Sequence, residues 1–234
     1  MKAKNGQKRA SMNLRTFQSK EELELDLANR LADVMRAAIL HFGDARILLS
    51  GGSTPFGVYK KLAEMDLDWS RVHLGLVDDR MVPLDHPSSN FGVLKTVFER
   101  AIQSGAHAFP MVQTENWSEN LALVQGDYQI FAERIDYSIL GMGNDGHTAS
   151  LFPNDPASEA DLKDSKIELL YTQAPVEPKH RMTCSSALLA QAKNTTLMLV
   201  GEEKLNVLRQ AEQQNYPIIR VMRKIENVDV YYTN

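Results

Sequence analysis

Short apolar runs that end abruptly in glycine or charged residues recur along this chain, and each is followed by helical spacing. Ile47-Leu48-Leu49 leads into Gly51-Gly52-Ser53-Thr54-Pro55, and then Val58, Leu62 and Met65 recur at helical intervals. Residues 72–77 lead into Asp78-Asp79-Arg80. Tyr137-Ser138-Ile139-Leu140 leads into Gly141-Met142-Gly143-Asn144-Asp145-Gly146-His147. Leu197-Met198-Leu199-Val200 leads into Gly201-Glu202-Glu203-Lys204 and a helix carrying Leu205, Leu208 and Ala211. Short, mostly apolar runs of three to six residues suit strands buried on both faces, as in a parallel sheet. The alternation of strand and helix predicts an α/β protein, a Rossmann-like, largely parallel sheet flanked by helices.

The flanks complete this outline. Ser19 with Glu22 three residues on is a helix start, and Leu23, Leu27, Leu31 and Val34 give that helix one apolar face toward Ile39. Pro55 suits a first helical turn, with Ser53 or Thr54 as its cap. Residues 153–179 are irregular, with Pro156, Pro175 and Pro178 and one strand expected at residues 167–171. The stretch from Pro153 to Ser186 is a candidate small antiparallel lobe. Residues 228–232 read as a closing strand at an edge. Residues 1–13 are basic, polar and aperiodic, which predicts a disordered tail, and residues 14–234 then form a single α/β domain.

Composition removes several classes of function. A net charge of −4 gives no electrostatic reason to expect nucleic-acid binding. No apolar stretch reaches membrane-spanning length, and no N-terminal segment has the pattern of a secretory signal. Cys184 is the only cysteine, so no internal disulfide can form; a reducing cytoplasm is expected, and Cys184 itself, in an alternating stretch, is expected within a sheet or core. No metal site and no cofactor are expected, because no His-Glu-x-x-His and no cysteine pair is present. The chain is expected to be a monomer, with a dimer as the alternative.

The polar residues that break the pattern fall where strands end, which is where open parallel sheets bind ligands. Gly51, Gly52, Ser53 and Thr54 place backbone N–H groups and two hydroxyls at a helix N-terminus, an environment that attracts anions. The Gly-Lys-Ser/Thr ending of a nucleotide-binding P-loop is absent. Arg80 carries a planar guanidinium suited to phosphate oxygens, although a local pair with Asp78 or Asp79 explains it too. Asn90, at the end of a rigid polar loop, is a further pocket candidate, as is His86, though loop-ordering hydrogen bonds account for both. Arg181 follows a proline-containing loop. Lys204 sits in a first helical turn, against the helix dipole, where a bound anion would offset the penalty. Asp145 and His147 on a glycine loop can support proton transfer beside a ligand. Gly141, Gly143 and Gly146 have Gly-x-Gly-x-x-Gly spacing, but no ribose-binding acid follows on a second strand, which argues against a dinucleotide.

Taken in order, Leu49-Ser50-Gly51-Gly52-Ser53-Thr54-Pro55, Asp78-Asp79-Arg80 with Val82-Pro83 and Ser89-Asn90, residues 141–153, Arg181-Met182-Thr183 and Gly201-Glu202-Glu203-Lys204 resemble the 6-phosphogluconolactonases. The likeness runs from about Phe17 nearly to the C-terminus. It implies the Rossmann-like architecture shared with glucosamine-6-phosphate deaminases and ribose-5-phosphate isomerases. It also implies hydrolysis of 6-phospho-D-glucono-1,5-lactone to 6-phosphogluconate in the oxidative pentose phosphate pathway. His147 would be the base and Asp145 would orient it or contact sugar. Gly51, Gly52, Ser53, Thr54, Arg80, Arg181 and Lys204 would hold the phosphate. The loop of Gly141, Gly143, Asn144 and Gly146 would contact substrate or the developing oxyanion, with Asp78, Asp79 and Asn90 as other pocket residues. Two features separate the chain from the deaminases: they have Asp-Glu-Tyr at positions 78–80, and they follow Asp-Gly-His with Ile-Ala-Phe-Asn-Glu-Pro where this chain has Thr148-Ala149-Ser150-Leu151-Phe152-Pro153. One feature departs from the lactonases, which have glutamate where this chain has Asp79. A deaminase, another sugar-phosphate isomerase and a non-catalytic sugar-phosphate-binding regulator are the alternatives.

Overall fold

A computed structural model describes residues 11–234. In chain order the strands are β1 (Ser11–Thr16), β2 (Ala45–Leu49), β3 (Val72–Leu76), β4 (Asp78–Arg80), β5 (His107–Ala108), β6 (Tyr137–Leu140), β7 (Leu169–Gln173), β8 (His180–Cys184), β9 (Thr195–Val200) and β10 (Asn227–Thr233). The helices are α1 (Lys20–Phe42), α2 (Phe56–Ala63), α3 (Asn90–Val97), α4 (Glu99–Gln103), α5 (Trp117–Asp127), α6 (Gln129–Glu133), α7 (Pro156–Asp161), α8 (Ser186–Leu189), α9 (Glu202–Gln214) and α10 (Pro217–Met222).

Seven strands form one sheet in the order β1-β10-β9-β6-β2-β3-β5, and every neighbouring pair is parallel. Its central strands are the predicted apolar runs. Ile47, Leu48 and Leu49 of β2, Tyr137, Ile139 and Leu140 of β6, and Leu197 of β9 are fully buried, as expected for strands covered on both faces. α1 starts where its sequence signal lies: Ser19 Oγ accepts from Glu22 N at 3.1 Å, and Gly43, at φ 87, closes the helix by donating to Ile39 O.

The second sheet is the predicted antiparallel element, of order β4-β8-β7. Its composition differs from expectation. Residues 78–80 are not merely the end of β3; at Val77 the chain leaves one sheet and joins the other at once. One apolar cluster runs through both sheets, taking in Leu169, Met182 and Cys184 as well as Ile47, Ile139 and Leu197. Cys184 is buried in β8, as its pattern predicts, and burial pushes its thiol well above the usual range.

Two boundaries are corrected. Ser11, Met12 and Asn13 are not tail: they pair in register with Asn227, Val228 and Asp229. Residues 1–10 of the expected tail lie outside the described residues. For the same reason β10 is not an edge strand, because β1 covers it and takes the edge.

Strand order positions the site. From β2 the chain steps outward through β3 to β5; from β6 it steps the opposite way through β9 to β10. The order therefore reverses between β2 and β6, and in open α/β sheets the crevice beyond the carboxyl ends at such a reversal is where ligands bind.

Candidate active site

A cleft of about 290 Å³ opens at that reversal, near the lower bound of the roughly 300–1,000 Å³ typical of small-molecule sites. Ser50, Gly51, Gly52, Ser53, Thr54 and Pro55 line it from the turn after β2. Leu140, Gly141, Met142, Gly143, His147 and Ala149 line it from the loop after β6. Asp78, Arg80 and Arg181 enter from the second sheet, Asn90 from the start of α3, and Lys204 from α9.

The glycine loop builds around His147. Asp145 Oδ1 lies 2.5 Å from His147 Nδ1 and also accepts from His147 N at 3.1 Å. Burial alone would raise the Asp145 pKa, but the hydrogen bond and charge of His147 outweigh it and hold the carboxyl below its ordinary range. An ionised Asp145 fixes the proton of a neutral imidazole on Nδ1, so Nε2 keeps its lone pair. The ring packs tilted on Phe152 at 4.7 Å. Gly143 is required here: a Cβ on it would lie 2.1 Å from His147 Nδ1 and 2.6 Å from Asp145 Oδ1.

The cations are held by carbonyls rather than by carboxylates. Arg80 Nη1 donates to Ser88 O at 2.9 Å, Arg181 Nε to Pro178 O at 2.7 Å, and Lys204 Nζ to Met142 O at 2.9 Å. Arg80 and Arg181 are directly opposite one another in the β4–β8 register. Like charges so placed repel, and burial together with the Arg80 charge lowers the Arg181 pKa. Burial likewise lowers that of Lys204, against the nearby carboxylates of Glu203 and Asp145. Among the described residues none of the three has an ion-pair partner. Arg80 Nε and Ser50 Oγ are buried without a hydrogen-bond partner. Such an arrangement is suited to an anion.

Several expectations need correction. Asp79 does not line the cleft: it is fully buried and its carboxylate accepts three backbone N–H groups. Asn144 Nδ2 donates to Glu203 Oε1 at 2.6 Å, away from the lining. Gly146, at φ 76, packs against the Tyr216 side chain instead of the cleft. The amides of Gly143 and Gly146 donate to His147 O and Gly143 O, so neither is free for an oxyanion. Neither Ser53 nor Thr54 caps α2, whose cap residue is Pro55 with no side-chain bond. His86 orders its own loop, Nδ1 accepting from Ser88 N at 3.0 Å.

Ser50, Ala149 and Ser150 stand inside the motifs quoted above but were given no role there. Ser50 follows the last residue of β2, directly before the glycine turn, and the strand-end rule alone would have found it. Ser150 Oγ donates to Asp78 Oδ2 at 2.5 Å across 72 residues of chain, a contact no local pattern announces. Ala149 lines the cleft at φ 49, in the left-handed region that a residue with a Cβ seldom enters.

Fold and cleft together define a Rossmann-like α/β protein with an imidazole–carboxylate pair and a cationic wall at the reversal of its sheet. Comparison with known proteins narrows this. The family described as glucosamine-6-phosphate isomerases/6-phosphogluconolactonase matches residues 18–230, and the chain belongs to it. A 6-phosphogluconolactonase of Pseudomonas putida is 38% identical over 207 residues, covering 86% of this chain and 84% of the relative. One from Neisseria meningitidis is 33% identical over 225 residues, covering 92% and 96%. The crystal structure of a 6-phosphogluconolactonase from Shewanella baltica superimposes with a TM-score of 0.89 at 29% identity, covering 97% of this chain and 99% of that one. Among the described residues no helix is long and apolar enough to cross a membrane.

Proposed function

We propose that the protein hydrolyses 6-phospho-D-glucono-1,5-lactone to 6-phosphogluconate, with His147 as general base and the cationic wall as the phosphate grip. The observation that carries this reading is the convergence of Arg80, Arg181 and Lys204, none in an ion pair among the described residues, on the cleft lined by His147, whose Nδ1 is bonded to Asp145 outside the lining. The family and its lactonase relatives supply the substrate.

The chemistry suits these groups. A lactone is an activated ester, so water is nucleophile enough once a base takes its proton. His147 Nε2 accepts that proton as the water oxygen bonds to C1. The tetrahedral adduct then expels the ring oxygen, the C1–O bond breaks, and the proton passes from His147 to that oxygen. Asp145 keeps the ring oriented and stabilises the transient imidazolium. A positioned base of this kind contributes about 10²–10⁴-fold in rate. Arg80, Arg181, Lys204 and the turn at Gly51 to Thr54 hold the phosphate so that C1 meets His147. A charge-assisted hydrogen bond contributes about 1.5–3 kcal/mol.

The test generates the lactone freshly from glucose 6-phosphate in a coupled assay and subtracts hydrolysis in buffer alone. Arg80→Ala is expected to raise KM by about 10- to 150-fold, whereas His147→Ala lowers kcat by about 10²–10⁴-fold with little change in KM. Full turnover by His147→Ala would remove the proposed base.

A further inference from the structure

One buried carboxylate has no part in this mechanism. Asp79 is fully buried, and among the described residues no Lys, Arg or His lies within ion-pair distance of it. Its Oδ1 accepts from Arg80 N and Asn90 N, each at 2.7 Å, and its Oδ2 accepts from Phe91 N at 3.0 Å. An ionised carboxylate accepts at both oxygens and presents no donor of its own, which an amide cannot do.

These three bonds are not simply a helix cap. α3 already has one in Ser89, whose Oγ accepts from Gly92 N at 3.1 Å. Asp79 instead ties the end of β4 to the start of α3, and each supplies a residue to the cleft. From β4 comes Arg80, its guanidinium held by Ser88 O. From α3 comes Asn90, whose Nδ2 donates to Asp78 O at 3.0 Å and whose carboxamide lies against Gly51 so closely that a Cβ there would fall 1.9 Å from Oδ1. Asp79 therefore sits at the junction of three segments that line one end of the cleft, though it does not itself touch that space. A buried carboxylate bears a desolvation cost, and the bonds it makes are spent on setting Arg80 and Asn90 in place.

We propose that Asp79 is a positioning residue for recognition of the phosphorylated end of the substrate, acting by fixing Arg80 and Asn90 against the Gly51 turn. The proposal rests on the reading of Arg80 as a phosphate contact. It concerns ground-state grip and not proton transfer, since His147 stands on a different loop after a different strand. Loosening the junction then weakens binding of the phosphorylated lactone selectively, with turnover of bound substrate preserved.

The experiment compares Asp79→Asn, Asp79→Glu and Arg80→Ala with wild type on 6-phosphogluconolactone and on unphosphorylated glucono-1,5-lactone, with 6-phosphogluconate affinity measured by calorimetry. Asp79→Asn replaces one acceptor oxygen with a donor. It is expected to raise KM for the phosphorylated lactone roughly tenfold, weaken 6-phosphogluconate binding in parallel, change kcat less than about threefold, and leave kcat/KM for the unphosphorylated lactone unchanged. Asp79→Glu keeps both acceptors at the side-chain length usual in the lactonases, and is expected to recover most of the loss. Wild-type KM in Asp79→Asn, or an equal loss on both lactones, overturns the proposal and leaves the carboxylate a purely structural group. If Asp79→Asn does not fold, Asp79→Glu decides: a small KM rise confined to the phosphorylated lactone supports the proposal, and an equal change on both lactones overturns it. Arg80→Ala separates the premise: if it leaves discrimination between the two lactones intact, the phosphate reading of Arg80 fails first and the proposal with it.

Discussion

Gly143 lacks a side chain in a place where the His147 imidazole fills the space one would need. In Gly143→Ala the new Cβ would overlap His147 Nδ1 and Asp145 Oδ1, so the ring must leave its position. The expected outcome is a kcat lower by on the order of 10²–10⁴-fold, like that of His147→Ala, with KM little changed; steady-state kinetics of the two variants side by side check it. The sequence marked the glycines as turn-formers, yet this one is required by neighbours two and four positions on, and that was not legible. Asp79 was misplaced for a related reason. A carboxylate between Asp78 and Arg80 reads as a pocket group, and only the fold shows it facing three amides. Its chemistry gives a pH prediction. Burial, opposed by its backbone hydrogen bonds to Asn90, Phe91 and Arg80, pushes Asp79 up to about 6 from an ordinary 3.8. Above about pH 6 the group is ionised in native and unfolded chains alike, and the native state bears the burial cost. As pH falls from about 6 toward 3.8 the native state takes up a proton that the unfolded chain does not, so this contribution to stability rises with acidification. Wild type should therefore gain on Asp79→Asn by on the order of 3 kcal/mol across that window. Urea unfolding of both proteins at several pH values tests this, and a difference that stays flat with pH would sink it.

At the scale of elements, the parts legible in the sequence were those with a repeating physical cause. The runs that became β2, β6 and β9 are mostly apolar because both their faces are covered, and α1 announced itself through Ser19 and a stripe of leucines. The second sheet was harder. Asp78–Arg80 is a strand because β8 pairs with it, not because its residues favour one, and propensity is a weak guide where pairing decides. The edge was misassigned because the sheet's last position is filled by the first strand of the chain, a pairing across 216 residues that β10 alone cannot reveal. Turns show the same division. Gly51-Gly52 was read as a turn that admits an anion, but Gly51 also leaves room for the Asn90 carboxamide from α3. Gly51→Ala should displace Asn90 and disturb the turn after β2, leaving the His147 loop after β6 intact. KM for the phosphorylated lactone is then expected to rise about tenfold or more, the loss of one charge-assisted contact, with kcat held within a small factor. A fall in kcat with unchanged KM would place the damage in the wrong loop.

Across the whole molecule, a chain with a net charge of −4 presents a cationic wall at one place, the reversal of strand order where loops from β2 and β6 diverge. Net charge could not report a local excess of positive charge gathered from positions 80, 181 and 204. That gathering is a consequence of topology: β4 and β8 pair antiparallel to set Arg80 beside Arg181, and the β9–α9 connection brings Lys204 to the glycine loop. Two guanidiniums and an ammonium without carboxylate partners among the described residues would be stabilised by a bound dianion, and in the open cleft that attraction would be partly screened by salt, whose Debye length is about 10 Å at 0.1 M and about 3 Å at 1 M. KM for 6-phosphogluconolactone should therefore rise several-fold between about 0.05 and 0.5 M sodium chloride. If His147 is the base proposed above, kcat should hold, because proton transfer within a hydrogen bond is little screened by salt. Glucono-1,5-lactone, which has no phosphate, should show a KM nearly independent of salt. The comparison of substrates removes general effects of ionic strength on folding or on the coupling enzyme, since these move both lactones together. A parallel rise for the two would mean that the wall at Arg80, Arg181 and Lys204 is not reading the phosphate at all.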